Sequence, residues 1–534
     1  MASFRNVTDL PRTAKSFMAI LLSVGLIYSA YFVLRFGGLW SENDTGLFSH
    51  VTTQMMNAGS VFFAGQYTHG YAYPAWLGSV SALTGMPVPV TNSILLPFVG
   101  VLFFVFLAYL VYREWLRTPR LAMLSVLLLF ASPDLLFGLM RGNHEKLTIV
   151  LSLGAFYALM RGFRAMGNNN LGHYGAWALV LYLCVFTNAT VNDYFASTFT
   201  MATAVAMVVG FWLARRARGA DLTHRPVFAR LAVVVAASWL LILWVMFFVF
   251  TPAGNDFRLL KTAISKVVSL FATLHTGSNP YTLATSQWAN PTVVELLAGF
   301  RWCIAGSSFI LWIWALWRVV VRRAAPSPNH LFLLALYGAL GLTVAVAIPM
   351  DFAGLAAGAN LEVRNFTFFV VFAAPVLIWG LSEGPARSLL SFIRRRLAWI
   401  QWLGLLAFAG FVAIGLLKVT LDPAISNQWM FYQPTERQAV QYFWTHARGS
   451  SLWTGPDNRI PDVWNAWTVS DPNNNAVVGF SIKANELDWL WSKVVVASAV
   501  VRQNPIPDYR AQNFVYNDGG ARLYRVRPST MFQN

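Results

Sequence analysis

Apolar residues fall in long runs along this chain, separated by short polar stretches. A run of roughly 20 mostly apolar residues is long enough to cross a bilayer as a helix. Eleven such spans are expected, over residues 16–36, 92–112, 121–140, 147–166, 174–191, 194–214, 231–251, 302–321, 331–349, 365–381 and 399–420. The first follows Arg5, Arg12 and Lys15 and is too long for the apolar core of a cleaved signal, so it reads as a retained span. The fifth and sixth meet at the polar bend Asn188–Asp193.

Between spans, residues 37–91 and 252–301 form long connections. Beyond the last span, residues 421–534 alternate short apolar stretches with turn signals such as Gly455-Pro456-Asp457-Asn458 and Asp471-Pro472-Asn473-Asn474-Asn475. That pattern predicts a small soluble α/β domain. The expected fold is a polytopic α-helical membrane domain over residues 1–420, followed by a C-terminal α/β domain over 421–534.

Composition agrees with this layout. The 534 residues are 57% hydrophobic and only 11% charged, with 22 Trp. Soluble domains average roughly 25% charged residues. The net charge of +17 would otherwise suggest nucleic acid, but its distribution gives a different explanation. With the N-terminus in the cytoplasm, the segments assigned to the inner face carry 20 Lys and Arg against 4 Asp and Glu. Everything else carries 19 against 18. The basic excess therefore follows the positive-inside rule, and no nucleic-acid partner is expected. Eleven spans then place the C-terminal domain outside the cell membrane. Cys184 and Cys303 both lie in apolar runs and read as buried thiols.

The acidic groups gather at the outer face, and four clusters there could carry chemistry. Glu42-Asn43-Asp44 follows the first span, and a carboxylate so placed can take a proton from an attacking hydroxyl. It could equally cap the helix that follows. Tyr67-Thr68-His69-Gly70-Tyr71-Ala72-Tyr73-Pro74-Ala75-Trp76 could stack on a sugar ring, line a lipid groove or form an interfacial aromatic belt. Arg141-Gly142-Asn143-His144-Glu145-Lys146 packs both charge signs, an amide and an imidazole into one short loop. Its Arg and Lys suit phosphate oxygens, and Glu145 suits a metal or a cation. Asp351, Asn360, Glu362 and Arg364 precede the tenth span; Arg364 needs an anionic partner, either one of these carboxylates or a lipid phosphate. His50, His69 and His144 are a weaker candidate metal triad. No P-loop, dinucleotide-binding or zincin string occurs.

The order of these features resembles the GT-C superfamily of membrane glycosyltransferases, which includes protein O-mannosyltransferases and lipid A aminoarabinose transferases. The resemblance covers roughly the membrane part. It implies transfer of a sugar from a polyprenyl-phosphate donor to a hydroxyl of a glycan, lipid or protein acceptor on the extracytoplasmic face. It also implies Asp44 as the catalytic base with Glu42 as the alternative, and Arg141 and Glu145 as the second-loop pair. Tyr73 and His69 would line the site with Asn143 and His144. Lys146 or Arg364 would supply the phosphate-binding cation. No cofactor is demanded by a motif, and a divalent metal is the one candidate. The sequence departs from the mannosyltransferase branch in that Asn43 separates the two acids, and it has no W-W-D string, which argues against an oligosaccharyltransferase.

The chief rival is a transporter or flippase for lipid-linked sugars, which would want ionisable groups near the bilayer midplane and repeated halves. A non-catalytic scaffold is the second. The transferase reading alone requires Asp44, Glu145 and a cation to converge.

Overall fold

The computed structural model describes residues 12–36, 43–63, 65–116, 118–217, 224–254, 261–262, 265, 268–269, 291–322, 327–352, 361–383, 403–404, 406–410, 412–413, 434–446, 451–453, 477–479, 487–492 and 513–526. The apolar runs are helices: α1 (Arg12–Phe36), α4 (Val88–Leu116), α7 (Glu145–Gly167), α8 (Leu171–Val191), α9 (Asp193–Arg216), α10 (His224–Trp244), α11 (Pro291–Val320), α12 (Pro328–Phe352) and α13 (Leu361–Glu383). Two helices of the first long connection, α2 (Asn43–Ala58) and α3 (Ala72–Thr84), precede α4.

Eight helices among the described residues are long and apolar enough to cross a membrane, or nine with one bent pair. Of the expected eleventh span, residues 403–404, 406–410 and 412–413 are described and are helical; the rest lie outside the described residues. The expected third span is not one helix. It breaks into α5 (Pro119–Leu129) and α6 (Pro133–Met140), which meet at 82°. The cause is Pro133, which cannot donate a backbone hydrogen bond and pushes Ser132 out of the helical region, to φ −99° and ψ 99°. A count of apolar residues sees the run and misses the corner.

Two asparagines punctuate the middle of the bundle. Asn170 opens α8 by accepting the backbone N–H of His173 at 3.1 Å. Asn192 ends α8 and opens α9, accepting the N–H of Phe195 at 3.0 Å. Such side chains satisfy the orphan donors of a helix start. The polar bend at 188–193 is therefore a two-sided cap.

One continuous cluster of buried apolar side chains runs from Leu21 on α1 to Trp379 on α13. A smaller cluster, Phe48, Tyr73, Leu77, Val88, Leu96 and Val191, locks α2 and α3 onto the ends of α4 and α8. In the eight spans, every Asp, Glu, Lys and Arg lies within about two turns of a helix end.

The described part of the tail holds one helix, α14 (Pro434–His446), and the strands β1 (Ser451–Trp453), β2 (Val477–Gly479), β3 (Leu487–Ser492), β4 (Asn513–Asn517) and β5 (Ala521–Val526). Their order is β2-β1-β3-β5-β4, with β1 parallel to both neighbours and the β3–β5 and β5–β4 pairs antiparallel. Ala439, Val440 and Phe443 on α14 are buried, as are Leu452, Ala521 and Leu523 on the sheet.

Candidate active site

The site is built on Arg141, which follows the last turn of α6. Its guanidinium is only 3% exposed and reaches two carboxylates: Asp44 at 3.2 Å and Glu145 at 2.5 Å. Asp44 sits in the first turn of α2 and Glu145 in the first turn of α7, where the helix dipole favours a negative charge. Both carboxylates are about one-fifth exposed, so they face outward with the cation behind them. Asn143 Nδ2 lies 3.4 Å from Asp44, and Asn143 Oδ1 accepts the Glu145 backbone N–H at 3.1 Å.

Close backbone approach makes this possible. A Cβ at Gly142 would lie 2.7 Å from the Thr45 hydroxyl and 3.0 Å from Asn92 Cγ, so only glycine fits. In return the Gly142 N–H donates to the Thr45 hydroxyl at 3.0 Å. At Gly138 on α6, the missing side chain leaves room for Glu145, whose Oε2 would stand 2.8 Å from a Cβ there.

Asn92 ties the parts together, and the sequence reading missed it. It lies in a π-helical turn, Thr91–Leu95, near the start of α4. Its amide donates to the carbonyls of Thr45 and Gly142, both at 3.1 Å, and sits 3.2 Å from the Ser49 hydroxyl. Its Oδ1 accepts the Tyr73 hydroxyl at 2.6 Å. The available signal was an amide at the head of an apolar run, at a position where such a group needs partners.

Lys146 takes a place other than the one expected. It is fully buried, and its ammonium donates to the carbonyls of Arg141 at 2.5 Å and Asn143 at 2.8 Å and to the Tyr73 hydroxyl at 3.3 Å. It staples the 141–146 turn from inside and is not presented to a ligand. Tyr73 is likewise fully buried as part of that staple, so it does not line the surface.

His144 is 6% exposed, with its Nε2 2.9 Å from Asn192 Nδ2 and its ring packed edge-on to Phe48. Burial pushes its pKa down to about 4, against the opposing pull of Glu145 and Asp44. The imidazole is therefore neutral near pH 7. His69 is held beside the buried Asp193, which it approaches at 3.7 Å, and its carbonyl accepts the Asp193 N–H at 3.0 Å.

Tyr67 opens the aromatic cluster noted in the sequence. Its ring packs on Phe48, His69 and His144. Burial raises its phenol pKa. The charges of Asp44 and Glu145 push the same way, while Arg364 and Arg141 oppose them. One phenol thus lies within electrostatic reach of all four charged groups, including Arg364 from the far end of the sequence. Glu42 and Asn360 lie outside the described residues.

A second cluster adjoins the first. Arg301 on α11 contacts Glu362 at 3.3 Å and Asp134 at 3.9 Å. Asp351 accepts the N–H groups of Leu361 and Glu362, at 2.6 and 3.0 Å, and so caps α13. Glu362 and Asp351, the carboxylates expected to pair with Arg364, are thus engaged elsewhere.

No family model and no curated protein matches the sequence. Solved structures do match. The Archaeoglobus fulgidus oligosaccharyltransferase tethered with an acceptor peptide aligns with a TM-score of 0.54 at 11% identity, over 96% of this chain and 74% of that one. The archaeal oligosaccharyltransferase AglB in complex with an inhibitory peptide and a dolichol-phosphate gives 0.52 at 12% identity, with the same coverage. ArnT from Cupriavidus metallidurans in the apo state gives 0.50 at 12% identity, over 96% of this chain and 98% of that one.

The chain has the GT-C fold. Among the described residues the carboxylates do not form a metal centre: no group of three or more His, Cys, Asp and Glu is gathered. Asp44 and Glu145 both face Arg141, and a guanidinium between two acids occupies the position that a cation would need. The described donor set does not fit the divalent metal that the sequence left open.

Proposed function

We propose that this chain is an integral-membrane glycosyltransferase acting at the extracytoplasmic face, with a polyprenyl-phosphate sugar as donor and a hydroxyl of a glycan, lipid or protein as acceptor. The observation that carries the reading is the convergence of Asp44 and Glu145 on the buried Arg141, with Arg364 acting on the same Tyr67 phenol. The likeness to AglB in complex with a dolichol-phosphate supports a lipid-phosphate donor.

The chemistry follows from charge. Nucleotide sugars are cytoplasmic, so an outward-facing enzyme needs a sugar already carried across on a lipid. Asp44 takes the proton of the acceptor hydroxyl. That oxygen attacks the anomeric carbon in line, the bond from that carbon to the phosphate oxygen breaks, and the configuration inverts. The bonding pair leaves with the polyprenyl phosphate. Arg364 holds the charge that develops there, while Arg141 stays behind Asp44 and Glu145 and fixes their positions. Asn143 orients Asp44, while Glu145 keeps Arg141 aimed. His144 and His69 form the wall behind Tyr67. The basic ends of the spans, such as Arg215 and Arg216 on α9 and Arg318 on α11, then face the cytoplasm as the positive-inside rule asks.

A flippase would need charge at mid-depth, whereas the described spans keep theirs at the ends. The test uses purified protein in nanodiscs. Asp44→Asn is expected to abolish sugar transfer while undecaprenyl phosphate still binds. Wild-type transfer by Asp44→Asn would remove Asp44 from the mechanism.

A further inference from the structure

The second charged cluster holds two buried polar atoms with no hydrogen-bond partner among the described residues. Glu362 Oε2 meets Arg301 Nη2 at 3.3 Å, but Glu362 Oε1 and Arg301 Nε are both buried with no hydrogen-bond partner among the described residues. One is an acceptor and the other a donor. A buried polar atom without a partner costs about 1–3 kcal/mol, so such pairs are kept where something completes them. A hydroxyl does this in a single group: it accepts from the Nε–H and donates to the carboxylate.

The cluster is also slack compared with its neighbour. Arg301 holds Glu362 at 3.3 Å and Asp134 at 3.9 Å, whereas Arg141 holds Glu145 at 2.5 Å. The Glu362 side chain is fully buried, while those of Arg301 and Asp134 are 16% and 19% exposed, so the arginine forms the open rim. Phe366, 5.6 Å from the guanidinium, supplies an apolar wall. The cluster is built from the same elements as the site. Asp134 and Arg141 stand at opposite ends of α6, about 10 Å apart by helical rise. Glu362 and Arg364 share the first turn of α13.

We propose that Arg301 and Glu362 form a saccharide-hydroxyl subsite, which takes a hydroxyl of the donor's sugar while Arg364 holds its phosphate. The inference rests on the glycosyltransferase reading above. It gives that site a means of telling a sugar-bearing lipid from the bare lipid phosphate, and so of binding substrate in preference to spent carrier.

The experiment measures binding of undecaprenyl phosphate and of its mannose, glucose and galactose esters to wild type, Glu362→Gln and Arg301→Lys in nanodiscs. Gln keeps the shape and loses the charge; Lys keeps the charge and loses the Nε–H. At least one sugar ester is expected to bind wild type more tightly than the bare lipid. That preference should fall about tenfold in each variant, with bare-lipid affinity unchanged. An equal loss for bare and sugar-bearing lipid would overturn the subsite and leave a brace between α6 and α13. An unchanged preference would also overturn it, with a bound water as the partner of the two atoms. If wild type binds no undecaprenyl phosphate at all, the donor reading itself fails, and the subsite with it.

Discussion

The side-chain amide of Asn92 donates to the carbonyl of Gly142 at 3.1 Å, across fifty residues of chain. The same amide holds the carbonyl of Thr45, next to Asp44. Asn92 therefore sets the spacing between the residue proposed as base and the turn that carries Arg141. Asn92→Leu takes the donor from the buried Gly142 carbonyl, at about 1–3 kcal/mol, and removes one of the bonds made by the Thr45 carbonyl and by the Tyr73 hydroxyl, which keep Ser49 and Lys146 as partners. The expected result is loss of transfer with a lowered melting temperature. Asn92→Asp can still accept from Tyr73 but loses the two donations to carbonyls, and should recover little. Full activity in Asn92→Leu would show that the spacing is set elsewhere.

Gly142 has no room for a methyl group against Thr45. Gly142→Ala should destabilise the protein by about 1–3 kcal/mol and move the turn away from Asp44. Thr45→Ala removes the obstructing hydroxyl and methyl at the cost of one hydrogen bond. In a double-mutant cycle the two changes should couple, the pair being less damaged than the sum of the singles. Additive losses would mean that the close approach does not matter.

The two basic residues first considered for the donor phosphate should separate cleanly. Lys146 is buried against Gly100, with its Cδ 3.0 Å from where a Cβ would stand. Lys146→Arg overfills that space and should lower thermal stability. Arg364→Gln should weaken undecaprenyl phosphate binding about tenfold. Reversal of these two outcomes would exchange their roles.

His144 gives the acid limit of the fold. Its native pKa, about 4, lies below its ordinary value of 6.5. Unfolded chains therefore bind the proton more readily, and stability falls as pH drops from about 6.5 towards 4. The loss from this group totals on the order of 3 kcal/mol. His144→Phe should flatten that part of the pH–stability curve measured by thermal unfolding in detergent. An unaltered curve would assign the acid sensitivity to other groups.

Much of this was legible in the chain because bilayer crossing and helix capping are local demands. Apolar runs of the right length mark α4 and α7 to α13, and the crowded string at 141–146 stands out against its apolar neighbours. The corner at Pro133 was hidden, since proline within an apolar run permits either a kinked span or a break. The partners of Arg141 and Arg364 were hidden too. Which carboxylate an arginine meets is decided by helix packing, so Glu362 went to Arg301 from α11 rather than to Arg364 two residues away. Lys146 shows the same limit, because sequence marks a cation but not which way its ammonium turns.

Asp44, Asn92, Arg141 and Arg364 enter the membrane at widely separated moments of synthesis, since α2, α4, α6 and α13 are spread over more than three hundred residues. A nascent chain halted before α13 already owns its carboxylates and Arg141 but lacks Arg364, and with it the cation brought in from the distal half. On the function proposed above, competence for chemistry is deferred until α13 has docked.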